Sequence, residues 1–160
     1  MRNKILQILR TEARAGNDQI ARRLDLPREQ VDREIERLEA ERVILGYRAV
    51  INPEKLDEET TVGIIEVKIT PQRNVGYDEI AAQIYRFPEV RNCYLLSGAY
   101  DLLLFIEGAD LKEVANFVAR KLATIDHVVS TTTHFVLRKY KEESFIIGDE
   151  DRAERLPVSP

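Results

Sequence analysis

VRNCYLLSGAYDLLLFI, residues 90–106, is the stretch on which the fold depends. Two apolar runs flank Gly98 and Ala99, and both favour a pleated surface, so the stretch predicts two strands joined by a short turn. Leu102, Leu103, Leu104, Phe105 and Ile106 leave the second strand without a polar side. Such a strand calls for cover on both faces, by helices on one and by another subunit on the other. Working outward, YDEIAAQIYRF (77–87) carries Ile80, Ile84 and Phe87 at helical spacing and stops at Pro88. On the other side, ADLKEVANFVARKLATI (109–125) offers Asp110 as an N-cap with Glu113 three residues on. Val114, Phe117, Val118 and Leu122 then face inward. TVGIIEVKIT (61–70) and HVVSTTTHFVLRKY (127–140) supply a first and a closing strand. The order βαββαβ is the ferredoxin-like split βαβ arrangement, which by itself assigns no function.

Upstream, NKILQILRTEARAGNDQIARRLDLPREQVDREIERLEAERVI (3–44) reads as three short helices. Gly16 suits a left-handed cap of the first, and Asn17 can cap the second. Asp-Leu-Pro at 25–27 closes the second, because the residue before a proline is pushed away from helical backbone, and Pro27 suits the first turn of the third. The third helix buries Val31, Ile35 and Leu38. VILGYRAVINP (43–53) then alternates around a glycine, the pattern of a small β wing or linker strand. Together these elements predict a winged helix-turn-helix. The same pattern also serves small helical bundles that touch only protein.

The 160-residue chain carries a formal charge of −4 and is 44% hydrophobic, enough for a real core. The charge is unevenly spread: residues 1–46 hold ten Arg and Lys against nine Asp and Glu, which leaves −5 for the remainder. This is a weakly basic head on an acidic body. At 100° per residue the third helix points Glu29, Gln30, Arg33, Glu36 and Arg37 away from its core. Glu29 precedes Arg33 by four residues and Glu34 precedes Arg37 by three, so each arginine has a carboxylate in reach. An exposed pair of this kind is worth about 0.3–0.5 kcal/mol, against about 1–3 kcal/mol for a bidentate arginine contact to guanine. DNA can recruit the arginines, while the carboxylates reduce general attraction to phosphates. Arg28, Gln30, Arg33 and Arg37 are therefore the candidate DNA contacts.

Both halves in this order resemble the Lrp/AsnC (leucine-responsive, feast/famine) family of transcription regulators. The resemblance covers about residues 2–140. IARRLDLP (20–27), RLEAERVILGY (37–47) and AVINPEKLD (49–57) are similar to the family's helix-turn-helix, its apolar-Gly-Tyr exit and its Asn-Pro linker. SGAYDLLLFI (97–106) is the most specific piece, since the family has a Gly-x-Tyr-Asp turn between its second and third strands; VVSTTTHFVL (128–137) places threonines where the family repeats them. The resemblance implies an α+β protein: an N-terminal winged helix-turn-helix followed by a ferredoxin-like βαββαβ effector (RAM) domain. It implies double-stranded DNA and a small-molecule effector such as an amino acid as partners, and a homodimer or higher homo-oligomer. In relatives the effector sits between subunits near that turn and the last strand, which here corresponds to Gly98, Tyr100, Asp101, Thr131 and Thr133. Asp101 can hold an ammonium group, and the two threonines, on one face of a strand, can bind a carboxylate. Each also has a plainer use: Gly98 in a tight turn, Tyr100 in packing, the threonines as strand formers. Two departures stand out: the family's Leu-Asp-x-x-Asp lead-in is missing, and Asp32, Glu34 and Glu36 stand where relatives often have neutral or basic residues.

The expected division is 1–47 for DNA binding, 48–60 as a linker strand, 61–140 for effector binding and oligomerisation, and 141–160 as a tail, docked through Phe145, Ile146 and Ile147 and then disordered. No membrane segment or leader pattern is legible, so a cytoplasmic location is expected. Cys93 reads as a core residue of a strand. No cofactor or metal is expected from one cysteine and two histidines. An enzyme is not expected either, for no nucleophile with its base or phosphate loop is present. The Lrp-like fold does include decarboxylases of haem precursors that rely on histidines, but His127 and His134 fall on opposite faces of a regular strand. The rival reading is a sensing or oligomerising protein of the same fold whose DNA affinity has been weakened or lost.

Overall fold

The computed structural model describes residues 1–57, 60–70 and 76–148. The chain divides into two compact units, Met1–Ile51 and Asn52–Pro160.

The first unit packs α1 (Arg2–Thr11), α2 (Asn17–Leu24) and α3 (Arg28–Ala40) around Ile5, Ile20, Ala21, Val31 and Ile35. Each buried isoleucine or valine contributes about 1.5–3 kcal/mol. Gly16 is not a left-handed cap of α1: its φ of −70° is ordinary, and it is instead the N-cap of α2. Its N–H donates to the Gln19 side chain at 3.3 Å. Asn17 is freed from capping, and its amide donates to Asp32 on α3 at 2.5 Å. The left-handed caps are Asp25 (φ 53°) after α2 and Arg42 (φ 56°) after α3. At the latter, Val43 donates to Leu38 at 2.8 Å and Arg42 to Glu39 at 2.9 Å, a Schellman closure built on arginine where glycine is usual.

The expected strand across 43–60 is not formed among the described residues. Leu45 and Ile51 are exposed, and Asn52 caps a 3₁₀ turn at Pro53–Lys55 by accepting from Glu54 at 2.9 Å. An isolated extended segment has no neighbour for its N–H and C=O groups, so its alternating pattern alone does not make a ladder.

In the second unit, β1 (Thr61–Ile69), β2 (Val90–Leu95), β3 (Leu102–Gly108) and β4 (Val128–Phe135) form one antiparallel sheet in the order β2-β3-β1-β4. Helix α4 (Tyr77–Ile84) and α5 (Leu111–Phe117, continued by a π turn over Val118–Leu122) lie on one face. Their Ile80, Ile84, Phe117 and Leu122 close a core with Ile65, Val67, Leu102, Leu104 and Ile106. Asp110 caps α5, accepting from Glu113 at 2.8 Å, while Glu113 accepts from Ala109. Cys93 faces the same core, half-buried, and burial pushes its thiol pKa up.

Register assigns the opposite face. Ile64 lies opposite Phe105 and Glu66 opposite Leu103, so these side chains point away from the helices. Tyr94 packs edge-on against Phe105 at 6.1 Å, and His134 lies 3.4 Å from Glu66.

After β4 the chain does not run on as a free tail. Lys141–Glu142 (β5) and Phe145–Ile146 (β6) make a hairpin whose two turn residues, Glu143 and Ser144, both have positive φ. Of the three apolar residues expected to dock, Ile147 is buried, whereas Phe145 and Ile146 are exposed. The disorder expected further along lies outside the described residues.

Candidate nucleic-acid interface and effector end of the sheet

The four candidate DNA contacts do not share one environment. Arg28 is tied down, 3.2 Å from Asp18 and 3.4 Å from Asp32. With the Asn17–Asp32 bond, these contacts fix the start of α2 to the first turns of α3. Gln30 is half-buried. Arg37 lies 2.9 Å from Glu34 and 3.6 Å from Glu41, which also reaches Arg2 at 3.3 Å. Glu34 is 6% exposed, so Arg37 neutralises a buried carboxylate. Arg33 is exposed and forms no ion pair among the described residues.

These pairings sort the carboxylates that set this helix apart. Asp32 and Glu34 are consumed internally, and Glu39 accepts from the Tyr47 hydroxyl at 2.8 Å. Burial, then the bond to Glu39, pushes the Tyr47 pKa up to about 12, so it stays a neutral donor. What remains on the outward stripe is Glu29, Arg33 and Glu36, spaced four and three residues apart. The wheel locates that stripe but does not reveal the burial of Glu34, or that Arg28 is a structural clamp. The i,i+4 spacing of Arg28 and Asp32 was the legible signal for the latter.

At one end of the sheet, Asp101 and Thr131 flank Val67 from opposite sides. The Asp101 N–H donates to the Val67 carbonyl at 3.0 Å, and Thr131 is the register partner of Val67 on β4. Two strand spacings put them roughly 10 Å apart. Thr133 lies opposite Ile65, so both threonines point to the helix-covered side, half-buried. The Asp101 carboxylate accepts from the Ile69 N–H at 2.8 Å and pairs with Lys68 at 3.4 Å. It thereby extends the β3 edge of β1 past the last register pair, Val67 with Leu102. Tyr100 is half-buried beside it. Gly98 is exposed, lacks positive φ, and a Cβ built there meets nothing within 4 Å among the described residues. Neither turn geometry nor a close approach within the subunit requires glycine at 98. Among the described residues no three His, Cys, Asp or Glu side chains gather as a metal site, and no helix is long and apolar enough to cross a membrane.

The family described as the Lrp/AsnC ligand binding domain matches residues 62–145. Over 160 residues the chain is 48% identical to an uncharacterised HTH-type transcriptional regulator of Bacillus subtilis, covering 98% of this chain and 95% of that protein. It is 31% identical over 144 residues to the leucine-responsive regulatory protein of Haemophilus influenzae, covering 90% and 86%. Among solved structures, a transcriptional regulator from Neisseria meningitidis in complex with L-Met superposes with a TM-score of 0.69 at 28% identity, over 88% of this chain and 90% of that one. Escherichia coli AsnC shares the fold, with a TM-score of 0.64 at 22% identity over 86% and 91%.

Proposed function

Since the chain belongs to the Lrp/AsnC family of transcription regulators, we propose that it binds specific DNA sequences through α3 and that a small effector such as an amino acid modulates this binding in the second unit. The observation that carries the DNA reading is Arg33: an arginine on the outward stripe of α3 with no carboxylate holding it among the described residues. Docked in a major groove, it is free to make a bidentate contact to guanine. Arg28 is the next candidate, as a phosphate contact from the start of the helix; Gln30 and Arg37 stand at the margins of the same face.

For the effector, the supporting features are the open space at Gly98, the Asp101 carboxylate and the paired threonines at Thr131 and Thr133. The L-Met in the Neisseria relative favours an amino acid as ligand class. The open sheet face, with Ile64, Leu103, Phe105 and Tyr94, supports assembly at least to a dimer. A dimer presents two reading helices to half-sites about 34–36 Å apart.

The test is genomic footprinting of the purified protein with and without pooled amino acids. Protected sites spaced by about one helical turn are expected, with occupancy changing roughly 5- to 150-fold on effector addition. Absence of any protected site would favour a sensing protein of the same fold that no longer binds DNA.

A further inference from the structure

Glu36 has no assigned task. It sits in the interior of α3, too far from the N-terminus for the helix dipole to favour it, unlike Glu29 in the first turn. It is exposed and makes no ion pair among the described residues. Its neighbours one turn either side are the carboxylates of Asp32 and Glu39, each already engaged elsewhere, Asp32 by Arg28 and Asn17 and Glu39 by the Tyr47 hydroxyl. An unneutralised carboxylate here gains nothing within the fold and opposes phosphates. Its position relative to Arg33 is what distinguishes it. Three residues along a helix advance about 4.5 Å, and successive base pairs are about 3.4 Å apart, so the two side chains reach base edges one to two steps apart.

On the reading of DNA by α3 proposed above, we infer that Glu36 is a specificity-determining residue that accepts a hydrogen bond from the exocyclic amino group of a cytosine, one to two base pairs from the guanine contacted by Arg33. In the major groove cytosine offers an N4 donor and thymine an O4 acceptor, so a carboxylate accepts from the first and repels the second. Glu36 thus exchanges general attraction for discrimination, on a helix where Asp32, Glu34 and Glu39 are held by partners within the fold and Glu29 sits in the first turn.

The full-length protein is used to select duplexes from a randomised pool, alongside Glu36→Gln and Arg33→Ala. Wild type is expected to select a guanine with a cytosine one or two positions away. Glu36→Gln is expected to keep the guanine and lose the cytosine column. In competition with purified duplexes, replacing that cytosine by thymine should weaken wild type about 5- to 150-fold and the variant far less. A Glu36→Gln protein that binds every duplex more tightly by one common factor, with the cytosine column intact, overturns the inference and leaves Glu36 as a repulsive charge only. Failure of the parent reading looks different. In that case Arg33→Ala selects the same sequences as wild type, or wild type selects none, and the assignment of Glu36 falls with it.

Discussion

Ile69, the last residue of β1, donates its backbone N–H to the carboxylate of Asp101 at 2.8 Å, so an acidic side chain completes the hydrogen bonding of a strand end on the neighbouring turn. Lys68 lies 3.4 Å from the same group. An effector ammonium at Asp101 would therefore compete with a resident lysine. Two substitutions separate the two tasks. Asp101→Ala should lower stability by about 1.5–3 kcal/mol in chemical denaturation, since a charge-assisted bond is lost and the Ile69 donor is stranded. Asp101→Asn retains an acceptor, so its stability should stay within about 1 kcal/mol of wild type while the effector response disappears. An Asn variant that responds normally would leave Asp101 as a strand clamp alone.

A second contact is steric. A Cβ built on Gly63 would lie 2.8 Å from Val114 Cγ1, so β1 carries a notch that seats α5. Gly63→Ala should destabilise by about 1–3 kcal/mol through overpacking. The Gly63→Ala/Val114→Ala double variant should cost less than the sum of the singles, a coupling of at least about 0.5 kcal/mol. Strict additivity would mean that the notch is not what holds the helix.

These contacts mark the limit of what hydropathy conveys. The burial of Ile80, Ile84, Phe117 and Leu122, and of Val31, Ile35 and Leu38, follows from helical spacing alone and is found where that spacing puts it. The capping pair of Asp110 and Glu113 was legible for the same reason, being local. The linker segment was misread because a strand needs a partner as well as alternation. Arg42, Glu143 and Ser144 occupy left-handed backbone without being glycine, so no turn signal announces them. Likewise, residue type marks Asp101 as a ligand candidate, but its bond to Ile69 depends on the pairing of β1 with β3, strands that are distant in sequence.

Glu89 and Lys121 provide a pH test. The bond from the Lys121 ammonium, more than any other influence, holds the Glu89 carboxyl below its usual 4.5, and the same ammonium sits 5.5 Å from the Phe87 ring centroid. A depressed carboxyl stabilises the fold above its unfolded pKa, and that contribution is lost as pH falls through the folded value. One Glu89 oxygen is buried with no hydrogen-bond partner among the described residues, which limits the gain. Glu89→Gln should therefore melt below wild type at pH 6–7 by a small margin that closes on acidification below about 4.5. A margin that persists at pH 3 would assign the effect to shape rather than charge.

The last prediction concerns Arg37 and Arg33, which the sequence treats alike and the structure does not. Arg37 answers a buried carboxylate, so Arg37→Ala should destabilise the first unit by about 1–3 kcal/mol, discounted from the cost of a fully buried pair because the arginine is itself half-exposed. Arg33 is exposed and forms no ion pair among the described residues, so Arg33→Ala should fall within about 0.5 kcal/mol of wild type. On a selected operator the order reverses: Arg33→Ala should weaken binding about 5- to 150-fold and lose sequence preference at one base pair. To keep unfolding from passing as lost recognition, Arg37→Ala is compared with Arg37→Ala/Glu34→Leu, in which the stranded carboxylate is gone. Stability should return in the double variant. If operator affinity returns with it, Arg37 acts by supporting the helix; if affinity stays low in a stable protein, Arg37 leaves Glu34 to bind DNA and both arginines are readers.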